Sequence, residues 1–135
     1  MKLPEFHGIQ ILLVEDEPFI RSTLKRMLRP LGNPEVREAS DGSEGLSLLR
    51  FGYVPALILC DVQMQPMDGL TFMRAVRALP DRASAAIPAI MLTAASDQET
   101  VLAVSGLGHA GYLLKPVSPK LLADRMEAMF VRRSA

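Results

Sequence analysis

The chain has 135 residues, a common size for one domain, and its 15 basic and 15 acidic side chains give a net charge of zero. It therefore lacks the net positive field that attracts nucleic acids or anionic membranes. The single cysteine, Cys60, excludes an internal disulfide framework, and no apolar run reaches transmembrane length. These features predict one cytoplasmic domain over residues 1–135, with a core of about 9–132, no output domain and no membrane insertion.

Five short apolar runs alternate with amphipathic segments, which is typical of a parallel sheet with crossover helices. Near-continuous apolar strands are buried on both faces, so helices are expected on both sides of the sheet. The sequence thus predicts a doubly wound α/β fold with a five-stranded parallel sheet. The predicted strands are 9–14, 36–39, 56–60, 89–92 and 112–114.

Five helices are predicted from apolar residues at helical spacing. The first four end at a glycine or a proline, and the fifth closes the domain. Capping side chains or a proline in the first turn mark most of the starts. The predicted starts lie near Pro18, Asp41, Gly69, Ser96 and Ser118.

Polar side chains follow four of the five predicted strands. In a doubly wound fold, ligands bind beyond the carboxyl ends of the strands. We therefore expect three carboxylates, one hydroxyl and one ammonium group at the same edge of the sheet. In strand order, these residues are Glu15 and Asp16, Asp61, Thr93, and Lys115.

This set of side chains predicts phosphoryl chemistry. Clustered carboxylates repel one another and favour a hard divalent cation such as Mg²⁺, or Mn²⁺. Lys115 can pair with an anion and Thr93 can donate a hydrogen bond to it, which together stabilise a transferring phosphoryl group. Asp61 is then the predicted nucleophile, because a carboxylate can attack phosphorus and hold it as an acyl phosphate.

Each of these residues also has an ordinary structural interpretation. A lone acid at a strand end usually caps a helix or faces solvent, and Asp16 precedes Pro18. Thr93 can simply pack, and Lys115 can extend over apolar neighbours. Taken singly, each residue favours that interpretation, whereas their joint occurrence at four strand ends favours the functional one.

Four segments resemble the CheY-like response-regulator receiver family, over roughly residues 10–130. They read ILLVEDEP at 11–18, LILCDVQMQPMDG at 57–69, IMLTA at 90–94 and GYLLKPV at 111–117. The resemblance implies a flavodoxin-like fold of strand order 2-1-3-4-5. It also implies a two-component or phosphorelay signalling module, which accepts a phosphoryl group from a histidine kinase or histidine phosphotransfer protein and is not an enzyme acting on other substrates.

The same resemblance implies the residues of the phosphorylation site. Asp61 is the phosphoacceptor. Asp16 binds the metal directly and Glu15 largely through water, with Asp61 and the backbone carbonyl of Gln63 as further ligands. Lys115 pairs with a phosphoryl oxygen.

The resemblance further implies a switch. Thr93 is the hydroxyl that moves toward the phosphate, and Tyr112 is the aromatic that swings between exposed and buried positions. Tyr112 is equally well explained as a core aromatic with its hydroxyl at the surface. A downstream target protein would bind the fourth helix, fifth strand and fifth helix of a monomer or weak dimer. The peptide bond before Pro116 is expected to be cis.

The sequence departs from the family in the loop after Asp61. The family more often has proline four residues after the acceptor, where this chain has Gln65 followed by Pro66. Gln63 and Ala95 occupy positions that tune phosphate hydrolysis in the family, and an alanine cannot orient a water molecule. We expect slow to moderate self-dephosphorylation, which a phospho-Asp61 lifetime of only seconds would contradict.

Three other classes of function were weighed. A phosphatase or phosphotransferase with an aspartyl intermediate would need a second acid where Gln63 stands. A nucleotide- or flavin-binding module is suggested by Gly106, Gly108 and Gly111, but the strand and helix around this G-x-G-x-x-G are in reversed order. The complete set of site residues argues against a non-phosphorylated scaffold. A diffusible messenger, a relay intermediate and a fragment of a longer regulator all remain open.

Overall fold

A single parallel sheet organises the chain, for which the computed structural model describes Phe6, residues 8–94 and residues 98–134. The five strands lie in the order β2-β1-β3-β4-β5, so the predicted fold class and strand order are confirmed. Every neighbouring pair is parallel. The strands are β1 Gln10–Val14, β2 Glu35–Ala39, β3 Leu57–Asp61, β4 Ala89–Thr93 and β5 Ala110–Leu114.

Six α-helices connect and follow these strands in the described residues. They are α1 Pro18–Leu28, α2 Gly42–Arg50, α3 Gly69–Arg77, α4 Arg82–Ala85, α5 Gln98–Ser105 and α6 Pro119–Ser134. A 3-10 turn, Arg29–Leu31, extends α1 to Gly32, whose φ of 99° ends it. None of these helices is long and apolar enough to span a membrane.

The prediction of five helices was wrong because it missed α4. This helix is a single turn of four residues, too short to show a helical repeat in the sequence. The Asp81 carboxylate caps it by accepting from Ser84 N at 3.0 Å. The predicted fourth and fifth helices are therefore α5 and α6, and the predicted cap of α5, Ser96, lies outside the described residues.

Two apolar layers cover the two faces of the sheet. On one face, Leu12 and Val14 pack with residues of α2, α3 and α5. On the other, Ile11 and Leu13 pack with residues of α1 and α6. Every residue of β3 and β4 is buried, as expected for central strands covered on both sides.

Capping side chains start the helices close to the strand ends. Asp41 accepts from Glu44 N at 2.8 Å to begin α2, and Asp68 accepts from Thr71 N at 2.8 Å to begin α3. Ser118 Oγ accepts from Leu121 N at 3.1 Å at the start of α6, as predicted. Each cap gives a partner to a backbone N–H group in the first turn of its helix.

Glycine at the start of α3 allows the helix to lie against the end of β3. A Cβ atom at Gly69 would overlap the backbone carbonyl of Asp61. Gly69 N also donates to Val62 O at 2.9 Å. This close approach fixes the backbone of Asp61 relative to α3.

Candidate functional site

The structure brings the predicted polar side chains together at the carboxyl edge of the sheet. Asp61 and Thr93 end the neighbouring strands β3 and β4, and Glu15 follows β1 on the other side of β3. Glu15, Asp16 and Asp61 each offer a carboxylate oxygen, and these atoms lie within 4.8 Å of one another. Lys115, directly after β5, reaches the same place.

Asp61 lies at the centre of this site. Only 3% of the residue is exposed. Its Oδ2 lies 2.9 Å from Lys115 Nζ, and its Oδ1 accepts from Gln63 N at 3.2 Å. Both carboxylate oxygens are thus oriented, which fixes the rotamer of the side chain.

The Glu15 side chain is more deeply buried than that of Asp61, and only one of its two oxygens accepts a hydrogen bond from the described residues. It is 1% exposed, and its Oε1 accepts from Glu17 N at 3.2 Å, while its Oε2 has no hydrogen-bond partner among the described residues. Burial, and next the negative charge of Asp61, raises the pKa of Glu15 to about 8. Without a cation, burial and the Asp61 charge therefore favour the protonated form of Glu15.

Asp16 is the half-exposed member of the carboxylate cluster. Its Oδ2 accepts from Gln65 N at 3.4 Å. The side chain lines a cleft of about 460 Å³, together with residues 62–66 and Asp68. Asp16 therefore connects the buried carboxylates to solvent.

The peptide bonds before Pro66 and Pro116 are both cis.

The chemistry of this cluster fits a hard divalent cation. Three carboxylate oxygens converge, and the orphaned Glu15 Oε2 is a buried acceptor that a cation would satisfy. The partial exposure of Asp16 would let such an ion keep part of its water shell.

The amino-acid sequence matches a known protein family over most of its length. Residues 11–127 match the response regulator receiver domain. The chain belongs to the response regulator receiver family. Receiver domains are signalling domains that bind Mg²⁺ at an acidic cluster, and Glu15, Asp16 and Asp61 form an acidic cluster in this chain.

Individual receivers resemble the chain over nearly their whole length. The chemotaxis protein CheY of Pseudomonas aeruginosa is 33% identical over 124 residues, covering 92% of this chain and 98% of that protein. A crystal structure of a putative response regulator from Chloroflexus aurantiacus matches with a TM-score of 0.82 and 31% identity, over 92% of this chain and 98% of the other. A signal receiver domain of a histidine kinase from Syntrophus aciditrophicus gives a TM-score of 0.79 and 31% identity, over 92% and 91%.

The two switch residues assigned by resemblance to receivers differ in their surroundings. Thr93 is fully buried at the end of β4, and its Oγ1 accepts from Gln63 Nε2 at 3.0 Å. Tyr112, in the edge strand β5, is half-buried against the apolar layer that contains Val104 and Leu107. Its place next to α5 is consistent with both interpretations weighed from the sequence.

Sequence reasoning missed two polar contacts in this receiver. One is the contact of the Gln63 side chain with Thr93, which no spacing in the sequence indicates. Arg21 Nη1 donates to Glu15 O at 2.7 Å, and its Nε lies 3.4 Å from Glu38 Oε1. A basic residue one turn into α1 could have been noticed, but its target is a backbone carbonyl, which the sequence does not mark.

An apolar groove of about 420 Å³ adjoins the site. Side chains of α1 form one wall, and Lys115, Pro116 and Val117 lie on the other. Phe19, at the start of α1, is 77% exposed. The groove therefore offers a partner apolar surface beside the ammonium group that pairs with Asp61.

Proposed function

We propose that this chain is a phosphorylation-switched receiver domain in which Asp61 accepts a phosphoryl group. The observation that supports this most is the surroundings of Asp61. This carboxylate is almost fully buried, it shares a metal-sized cluster with Glu15 and Asp16, and it is paired with Lys115 at 2.9 Å. The described elements form one sheet with two layers of helices, and we propose that residues 1–135 make up a single domain.

A divalent cation would be held by the side chains of Glu15, Asp16 and Asp61, with the backbone carbonyl of Gln63 as a further ligand. Mg²⁺ is the ion we propose, with Mn²⁺ as a substitute, because all the donors are oxygen atoms. When bound, the ion neutralises part of the charge on the carboxylates and on the incoming phosphoryl group.

In the transfer step, one Asp61 oxygen attacks phosphorus in line with the bond to the imidazole nitrogen of a partner's phosphohistidine. The P–N bond breaks, the Asp61 O–P bond forms, and the imidazole leaves. Lys115 gives a positive charge for the phosphoryl oxygens, and Thr93 gives a hydroxyl donor. The groove along α1 would hold an apolar part of the histidine kinase or phosphotransfer protein during this step.

The output surface we propose consists of α5, β5 and α6. Each of these elements carries one large apolar side chain exposed to solvent. They are Leu102 at 62%, Leu114 at 44% and Leu121 at 53%. Phosphorylation adds about 1.5 to 2 negative charges, which would draw Thr93 toward Asp61 and shift the population of Tyr112 positions. A downstream target would then bind one population better than the other.

Phosphoryl transfer from a panel of labelled histidine kinases, with Mg²⁺ present, tests this proposal. We expect the wild type to take up label and Asp61→Asn to take up none, because an amide oxygen is a far weaker nucleophile. Asp124→Asn is the matched control, since Asp124 is an exposed acid on α6 and should not affect uptake. A pull-down with free and phosphorylated protein then identifies the target.

Two results would contradict the proposal. One is label on the Asp61→Asn variant with circular dichroism showing an intact fold. The other is steady turnover of an external phosphoester by the wild type, which would make the chain an enzyme.

A further inference from the structure

The Gln63 side chain joins the two strand ends that carry Asp61 and Thr93. Its backbone N–H donates to Asp61 Oδ1 at 3.2 Å. Its side-chain Nε2 donates to Thr93 Oγ1 at 3.0 Å, and its Oε1 accepts from Ala94 N at 3.4 Å. The same Oε1 lies 3.4 Å from Thr93 Oγ1. One residue thus contacts the proposed nucleophile and two polar groups at the end of β4.

Those two groups are hydrogen-bond donors that a phosphorylated Asp61 would need. Phosphoryl oxygens only accept hydrogen bonds, and the Thr93 hydroxyl and the Ala94 N–H lie at the end of the strand next to Asp61. In the structure the Thr93 hydroxyl and the Ala94 N–H both donate to Gln63 Oε1 at 3.4 Å, and the same hydroxyl accepts from Gln63 Nε2. The side-chain oxygen of Gln63 is therefore the acceptor that phosphoryl oxygens would have to replace.

The burial of Thr93 and the exposure of Gln63 indicate which of the two side chains can break this hydrogen bond. Thr93 is fully buried, so its hydroxyl needs a protein partner in either state. Gln63 is exposed, so its amide can exchange Thr93 for water by a rotation of its own side chain. A buried hydroxyl held by an exposed amide can thus be released without disturbing the core.

We propose that Gln63 is a positioning residue that holds Thr93 and Ala94 in the resting state and has to release them when Asp61 is phosphorylated. The inference rests on the proposed function, because it adds a resting-state control to the same site. It differs from a role in hydrolysis, since the amide acts on Thr93 before any phosphate is present. Removing it should make the phosphate-ready arrangement easier to reach.

The first measurement is the rate of phosphoryl uptake from acetyl phosphate with Mg²⁺, which needs no protein partner. The P–O bond to acetate breaks and the Asp61 O–P bond forms. A conformational preference set by one or two hydrogen bonds changes a population about fivefold to thirtyfold, so we expect Gln63→Ala to take up phosphate at least about fivefold faster. Gln10→Ala, which removes an exposed glutamine at the opposite, amino end of the sheet, should keep the wild-type rate.

The second measurement follows Thr93 itself in the unphosphorylated protein. The ¹³C-methyl signal of Thr93 should move in Gln63→Ala toward the position it takes when the wild type is saturated with beryllofluoride and Mg²⁺. Gln10→Ala should leave the signal in place. A structural role for Gln63 elsewhere would not move this signal toward the beryllofluoride position.

The inference stands if the rate rises and the Thr93 signal moves, and it is overturned if either stays at its wild-type value. If the wild type takes up no phosphoryl group from any donor, the proposed function fails. The Thr93 signal then decides alone whether Gln63 positions this hydroxyl.

Discussion

Polar groups at the two ends of the sheet differ in how completely they are hydrogen-bonded. At the carboxyl end, three carboxylates gather around one lysine, and Glu15 Oε2 is buried without a hydrogen bond from the described residues. At the amino end of β4 and β5, the Arg77 guanidinium donates to three backbone carbonyls at 2.8 to 3.0 Å and a fourth at 3.4 Å. These carbonyls belong to Ala85, Leu107, Gly108 and His109.

This difference separates the end that stabilises the domain from the end at which we propose phosphoryl transfer. Arg77 joins the end of α3 to α4 and to the turn between α5 and β5. The carboxylate cluster, in contrast, buries acidic groups close together and leaves an acceptor unpaired, so ionising all of them costs stability until a ligand arrives. Substitutions at the two ends should therefore change stability in opposite directions.

The largest effect is expected at the amino end. Arg77→Ala removes a charged donor from several backbone carbonyls at once, so we expect the free energy of unfolding to fall by about 3 kcal/mol. Arg77→Lys should recover only part of this, because an ammonium group cannot reproduce the planar fork of a guanidinium. Urea unfolding measures the change.

Arg74→Ala is the matched control for Arg77→Ala. Arg74 lies one turn earlier in α3 and is exposed, so its removal should change the free energy of unfolding by less than about 0.5 kcal/mol. Equal losses from Arg74→Ala and Arg77→Ala would show that the carbonyl contacts do not stabilise the domain.

At the carboxyl end, replacing Glu15 by a neutral residue should instead raise the free energy of unfolding. The pKa of Glu15 is about 8 in the folded protein, against an ordinary value of 4.5 in the unfolded chain. Between these values the folded state binds more protons, so the Glu15 contribution to stability is complete below pH 4.5 and is lost as the pH rises through 8. Glu15→Gln cannot lose a proton, and we expect it to be more stable than the wild type by about 2 kcal/mol near pH 9 in EDTA.

The pH dependence of that difference is the decisive measurement. The advantage of Glu15→Gln should be small near pH 5 and grow toward pH 9. Glu17→Gln, an exposed neighbour, should show no such growth. A difference between Glu15→Gln and wild type that stays constant from pH 5 to 9 would mean that Glu15 is not held protonated by burial.

The sequence predicted that polar side chains gather at the carboxyl end of the sheet, because the order of strands and acids along the chain places them there. Parallel strands deliver their carboxyl ends to one edge, so Glu15, Asp61 and Lys115 had to meet once the five strands were assigned. The fold followed from the same apolar runs. Even the edge strand β2 was found, although only Ala39 of it is buried.

The contacts of the amino end could not be predicted in this way. Arg77 ends a helix whose other polar residues face solvent, and its acceptors are backbone carbonyls, which every residue has. The α4 turn that supplies Ala85 O is too short to leave a pattern. The Gln63 contact with Thr93 depends on the rotamer of a flexible side chain, which the sequence does not fix.

The smallest expected effect is the gain from Mg²⁺, and it tests whether the two ends are independent. A ligand that binds only the folded state stabilises it by about 1.4 kcal/mol at ten times its dissociation constant. The wild type should show this gain at pH 8 as a rise in Tm, and Asp16→Asn should lose most of it because the cluster loses one carboxylate. Sodium chloride at matched ionic strength controls for screening of the repelling charges.

Arg77→Ala should gain as much from Mg²⁺ as the wild type does, although it starts from a lower Tm. Effects at distant sites without shared partners add, and the hydrogen bonds of Arg77 among the described residues all go to backbone carbonyls outside the carboxylate cluster. A smaller gain in Arg77→Ala would mean that the fixed turn before β5 helps to hold Lys115 and the carboxylates in place. The amino end would then be part of the site's preorganisation, and the separation of the two ends would be wrong.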